Sequence, residues 1–233
     1  MSNLGIAGFE EFKNRNQTRK DLESYFEEVF YHKPSAEQLK MFHNFLIGKE
    51  QDGQKMIDLI SSEKDVDGLT KINLGKLMSN DESGLYGCTP SGVIQLLKTY
   101  KVDLVGKDVV IINRSLLVGK PLAMMFLKEN STVTLCHSKT KNLSEKTRNA
   151  DIVVVGVGRK KFLTEEMVKP GAIVIDVGIN RDLETNKLCG DVDYDNLLEK
   201  ASLITPVPGG VGPMTIASLM ENTYELYLEQ NKK

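Results

Sequence analysis

Asn113-Arg114-Ser115, followed by Val118-Gly119 and Pro121, comes directly after a run of β-branched residues, Val109 to Ile112. An apolar run of that length reads as a strand buried on both faces. A buried parallel strand that breaks into a polar turn and enters a helix is where α/β sheets take ligands, and the free N–H groups of the helix start suit a phosphate. Arg114 is the informative residue, because a guanidinium beside such a turn can engage a ribose 2′-phosphate with two hydrogen bonds. An NAD site would place a carboxylate about 20 residues further on. Here the next strand, Thr132 to Cys136, ends in His137-Ser138-Lys139-Thr140, which offers hydroxyls and a cation but no acid. Both features point to NADP. The turn departs from the usual G-x-G-x-x-G pattern, since only Gly119 stands near its place. The competing reading is an ordinary strand-to-helix turn with a surface arginine.

Three other stretches have the composition of a ligand edge. Gly156 and Gly158 close a third apolar run, and Asp176-Val177-Gly178-Ile179-Asn180 closes a fourth. The carboxyl ends of parallel strands gather on one edge, so these turns belong beside Arg114. Thr205 to Thr215 holds three glycines and three prolines in eleven residues and reads as a stiff loop facing a ligand, neither helix nor strand. Asp67-Gly68 is either a tight turn or an acid placed in a cleft. His32 and His43 lie on helical patterns and receive no catalytic role. Cys88, Cys136 and Cys189 are widely spaced, so neither a disulfide framework nor a metal site is expected.

The elements that must position these residues follow from periodicity. Strands are expected at 109–113, 132–136, 151–155, 172–177 and 203–205, with helices starting near 121, 142, 164 and 193. A further helix opens at Thr89, as N-cap, with Pro90 behind it. A closing helix runs from Thr215 to Leu228 with Ile216, Leu219, Met220 and Thr223 on one side. Residues 1–50 differ in character and hold six of the eight phenylalanines. Leu22, Tyr25, Phe26, Val29 and Phe30 form one helical face, and Ser35 with Gln38 forms a capping box for the next helix. A short helix is expected over residues 52–61. Thirty basic against thirty-two acidic residues give a net charge of −2, which excludes a general attraction to nucleic acid or an anionic membrane. No apolar run is long enough to span a bilayer, and Glu10 and Glu11 argue against a transit peptide, so a cytoplasmic protein is expected.

Several motifs agree with one family. KDVDGLTKINLGKL (64–77), GCTPSGVIQLL (87–97), NRSLLVGKP (113–121), TVTLCHSKT (132–140), KPGAIVIDVGIN (169–180), GDV (190–192) and TPVPGGVGPMTIASLMENT (205–223) resemble bifunctional methylenetetrahydrofolate dehydrogenase/methenyltetrahydrofolate cyclohydrolases. The resemblance implies an α/β fold: a Rossmann-like doubly wound parallel sheet with a smaller, largely helical N-terminal lobe completed by the C-terminal helix. The domains would be a reduced folate lobe over 1–88, an NADP domain over 89–205, and the substrate loop with its returning helix over 206–233. It further implies NADP-dependent oxidation of 5,10-methylenetetrahydrofolate, hydrolysis of the product to 10-formyltetrahydrofolate, and a homodimer. By matching positions, Asn113, Arg114, Ser115 and Ser138 belong to the NADP site, and Ile179 gives the cofactor a backbone contact. Asp67 fixes the folate's pterin ring, and Pro208, Gly209, Gly210, Val211 and Gly212 close over substrate and nicotinamide. Asn113 stands where the family usually has glycine.

Family members carry roughly a hundred residues before the KDVDG motif, with a Tyr-Val-x-x-Lys motif and a Gln-Leu-Pro-Leu-Pro strand. Only 63 residues precede Lys64, and neither motif can be read. The lysine is implicated in activating water, so the expectation is that hydrolysis is impaired and oxidation survives. The alternative is an inactive NADP-binding homologue acting as partner or regulator.

Overall fold

The computed structural model describes residues 35–38, 40–41, 53–183 and 185–231. The chain divides into two compact units, one reaching to Asp65 and including Thr70–Ile72, the other comprising Val66–Leu69 and Asn73 onward. In the first, the Ser35 amide donates to Gln38 Oε1 (2.8 Å) and the Gln38 amide to Ser35 Oγ (3.2 Å), the reciprocal pair of a capping box. The helical face expected over 22–30 and the histidines at 32 and 43 lie outside the described residues. Helix α1 (Gly53–Ile57) is shorter than the 52–61 expected and is followed by a 3₁₀ turn at Ser62–Lys64. Asp65 is buried and accepts the Thr70 amide at 2.8 Å.

Helix α2 (Lys71–Met78) and helix α3 (Cys88–Thr99) precede the sheet. Then follow β1 (Asp108–Ile112), α4 (Gly119–Lys128), β2 (Thr132–Cys136), α5 (Leu143–Asn149) and β3 (Ile152–Val155). A 3₁₀ turn at Glu165–Met167, β4 (Ile173–Asp176), a small antiparallel pair β5 (Asn180–Arg181) and β6 (Leu188–Cys189), α6 (Tyr194–Leu197), β7 (Leu203–Ile204) and α7 (Val211–Gln230) complete the order. The β5–β6 pair carries no apolar alternation and was not expected. The five long-range strands are parallel in the order β2-β1-β3-β4-β7, the 2-1-3-4-5 order of a doubly wound sheet.

The alternation of side chains along each strand divides the core. Val109, Ile111, Ile152, Val154 and Ile175 pack on one face with Leu97, Leu122 and Phe126, while Val110, Ile112, Val153, Val155 and Val174 pack on the other with Leu163 and Leu197. Phe126 and Leu97 are at most 2% exposed, and burying each contributes about 1.5–3 kcal/mol. Strand β3, buried throughout, and β1, buried from Val109 onward, lie inside the sheet, as their β-branched runs require.

Two expectations about helix ends are corrected. Helix α3 begins at Cys88 with Gly87 as N-cap, and Thr89 lies inside its first turn. The Thr89 hydroxyl pairs with the Thr215 hydroxyl at 3.0 Å instead of capping. Helix α7 begins at Val211, four residues before Thr215, so the last part of the proline–glycine stretch is helical. Gly212 and Pro213 fall in its first turn, where the N–H groups lack intrahelical partners and proline is tolerated.

The buried face of α7 also differs from the expected one. Ile216 and Met220 are 64% and 65% exposed, whereas Val211, Ser218, Asn222 and Leu226 are buried. The reason is the close crossing with α3, where a Cβ added to Gly92 would lie 2.9 Å from the Met214 backbone. Asn222 Nδ2 donates to the carbonyls of Val66 (2.7 Å) and Tyr86 (3.0 Å), which satisfies the buried amide.

Candidate functional site

The parallel registers set the carboxyl ends of the central strands level. Ile112 pairs with Cys136 and with Val155, and Val155 with Asp176. The turns after β2, β1, β3 and β4 therefore stand in one row, as the sequence placed them. The row contains the switch point between β1 and β3, where chain connections leave in opposite directions.

Asn113 organises the turn after β1. Its Oδ1 accepts the Ser115 amide (2.8 Å), the Ser115 hydroxyl (2.8 Å) and the Gly119 amide (3.1 Å). Its Nδ2 donates across the switch point to the Gly156 carbonyl at 2.5 Å. The Ser115 hydroxyl oxygen also accepts the Val118 amide at 3.1 Å. A Cβ on Gly119 would come within 2.2 Å of the Asn113 carbonyl oxygen, so only glycine allows the first residue of α4 to pass so close to the strand end. The asparagine thus tightens this turn. Arg114 and Ser115 are exposed beside it.

One strand over, the His137 amide donates to Thr140 Oγ1 at 2.8 Å and the Lys139 amide to His137 Nδ1 at 3.1 Å. This small turn leaves Ser138 exposed next to the Arg114 turn, since residues 112 and 136 are level. Cys136 just below is fully buried, and burial pushes its thiol up.

The other two turns are built on buried carboxylates. Asp191, with no exposed surface, accepts the Gly158 amide (2.9 Å) and Val157 amide on Oδ2, and the Arg159 amide (2.8 Å) and Asn180 Nδ2 (2.7 Å) on Oδ1. Asp176 accepts the amides of Gly178 (2.9 Å), Asp191 (3.0 Å) and Val192 (2.9 Å). Burial pushes the Asp176 carboxyl up, the neighbouring Asp191 carboxylate adds to that, and the three amides oppose it. The sequence had a signal for this pair in the glycines beside each acid. A Cβ on Gly178 would lie 2.3 Å from the Asp191 carboxyl carbon, and one on Gly190 would lie 1.9 Å from Asp176 Oδ2. Ile179 is 67% exposed at the tip of the β4 turn.

Thr205, after β7, brings the proline–glycine loop to the same edge, its Oγ1 accepting the Asp176 amide at 2.8 Å. Pro208 and Gly209 are exposed, and Gly209 has φ +105°, a conformation that only glycine adopts readily. Val211 is 4% exposed and belongs to the core. Asp67 is exposed in a tight turn whose Gly68 has φ +63° and lies against the Leu85–Gly87 backbone. Among the described residues no group of acidic, histidine or cysteine side chains could hold a metal. None of the described helices is long and apolar enough to cross a membrane.

A five-stranded parallel sheet in this order, with a glycine-dependent turn at its switch point, defines a doubly wound α/β protein of the dinucleotide-binding type. The family model described as "Tetrahydrofolate dehydrogenase/cyclohydrolase, NAD(P)-binding domain" matches residues 87–231. The chain belongs to the tetrahydrofolate dehydrogenase/cyclohydrolase family. It is 58% identical over 168 residues to the bifunctional protein FolD of Lachnoclostridium phytofermentans, covering 72% of this chain and 59% of that protein. The crystal structure of the bifunctional FolD dehydrogenase/cyclohydrolase from Campylobacter jejuni is 43% identical, with a TM-score of 0.79 over 92% of this chain and 75% of that one. The FolD structure from Trypanosoma brucei, complexed with NADP cofactor and inhibitor, is 31% identical, with a TM-score of 0.79 over 94% and 75%.

Proposed function

We propose that this chain oxidises 5,10-methylenetetrahydrofolate to 5,10-methenyltetrahydrofolate with NADP⁺. The observation that carries the reading is the level register of β1 and β2: Arg114 and Ser138 each follow two residues after the level pair Ile112 and Cys136, and both are exposed. A dinucleotide fits this edge: Gly119 supplies the bare backbone that a phosphate turn needs, and Arg114, Ser115 and Ser138 supply donors for a 2′-phosphate. NADP⁺, when bound, takes up a hydride from the methylene carbon of the folate. The protein's part is to hold the two ligands face to face and keep water out. Asn113 fixes the turn, Ile179 offers its main chain, Asp67 orients the pterin, and Pro208 to Gly212 cover the ligands, Val211 through its backbone alone. Relatives titled as FolD dehydrogenase/cyclohydrolases, one of them holding NADP, support the reading.

Hydrolysis of the methenyl product to 10-formyltetrahydrofolate belongs to the proposal in impaired form. That step needs activated water, and no Tyr-Val-x-x-Lys motif can be read in the sequence. A cytoplasmic homodimer is a corollary of the same reading. The test is to incubate the purified full chain with methylenetetrahydrofolate and NADP⁺ and follow NADPH. Formation above the blank is expected. Bound NADP⁺ without NADPH would favour the non-catalytic partner, and the absence of both would overturn the proposal.

A further inference from the structure

We propose that Asp191 is a positioning residue for the dinucleotide, holding the turns after β3 and β4 together as one surface. The inference rests on the dinucleotide reading of this edge. Three consecutive amides, Val157, Gly158 and Arg159, converge on the Asp191 carboxylate, the arrangement in which backbone N–H groups collect an anion. On a sheet edge that takes phosphates, such a nest is a competing phosphate site. Here it is filled from within by a side chain with no exposed surface. The carboxylate therefore has two consequences. It closes the nest after β3, which leaves the turn at Asn113–Gly119 as the phosphate turn of the row. Through Asn180 Nδ2, at 2.7 Å, it also fixes the β4 turn that carries Ile179 to the β3 turn that carries Gly156. Gly156 in turn accepts the Asn113 amide across the switch point, so the linkage runs without a gap from Ile179 to the β1 turn.

Asp191→Asn keeps the size but replaces one acceptor oxygen with an NH₂ that must face a backbone N–H. A buried donor opposite a donor forces the turns apart. The partners of the Asp191 carboxylate are the Val157, Gly158 and Arg159 amides and Asn180, and the bonds by which Asn113 holds the β1 turn are kept, so the preference for NADP⁺ over NAD⁺ should not change.

The experiment measures dissociation constants for NADP⁺ and NAD⁺ on the full chain, at a temperature where circular dichroism shows each variant folded. Asp191→Asn should weaken both by about tenfold or more, with their ratio as in the parent. Asn180→Ala, which cuts the link between the two turns together with a bond to the Gly190 carbonyl and leaves the three amides on Asp191 in place, should weaken both in the same direction by a smaller factor, and it decides the matter if Asp191→Asn does not fold. Parental affinities in every folded variant overturn the proposal, as does a loss confined to NADP⁺, which would place Asp191 at the 2′-phosphate. A parent chain that binds neither dinucleotide overturns the functional reading itself, and this proposal with it.

Discussion

Arg114 is exposed two residues past the end of β1, and Ser138 is exposed two residues past the end of the adjacent β2. A guanidinium paired with a phosphate forms charge-assisted hydrogen bonds that NAD⁺ cannot provide. Arg114→Ala should therefore raise the dissociation constant for NADP⁺ by about tenfold or more while leaving that for NAD⁺ nearly unchanged. Titrations of both dinucleotides check this, and equal losses would remove the 2′-phosphate assignment. At this scale the sequence was readable for position: it set Arg114 and Ser138 just past the ends of two strands, and both are exposed there. It was much less readable where side chains act inward. Nothing in the spacing of Asp176 and Asp191 says that the first collects amides up to 16 residues away and the second up to 34. Only the flanking glycines, Gly178 and Gly190, hint that something bulky lies against them.

The elements were legible in their order and less so at their ends. Strands β1 to β4 fall within a residue of their expected limits, and β1, β3 and β4 do so on β-branched runs too short for a helix. Helix α7 began earlier than expected and turned a different face inward, with its backbone at Met214 close against Gly92 of α3, a contact that a hydrophobic pattern does not show. Glycine substitutions test the element junctions. Gly119→Ala would drive a Cβ into the end of β1 and should destabilise the fold by about 1–3 kcal/mol. Gly75→Ala, in exposed helix α2 with nothing within 4 Å of the new Cβ, should stabilise it by up to about 1 kcal/mol. Urea unfolding of the two variants against the parent measures both, and a neutral Gly119→Ala would mean that the turn relaxes freely.

At the scale of the molecule, stability should fall on the acid side. The Lys169 ammonium holds the Asp151 carboxyl below the ordinary range, helped by the Asp108 amide, and Asn196 and then Lys161 do the same for Asp193. A carboxyl lowered by folding contributes stability that is present above its unfolded value, near pH 4, and lost as pH falls through the lower folded one. Asp176, raised by burial, works with the opposite sign: its contribution is present in acid and lost as pH rises through the folded value. Asp151→Asn should therefore flatten the fall in melting temperature below about pH 4, by less than about 1 kcal/mol because the pair with Lys169 is partly exposed. Melting curves from pH 3 to 7 for parent and variant check the slope, and an unchanged slope would mean that the ion pair contributes nothing.

The amide of Asn222 reaches carbonyls that lie 156 and 136 residues earlier in the chain. Those two bonds cannot form on a ribosome until the chain has been made as far as Asn222. The stretch from Val66 to Tyr86 must therefore wait, with these two carbonyls turned to water or to temporary partners, for the last helix to arrive. The unit that holds the candidate site is thus fastened by a residue made long after the stretch it secures.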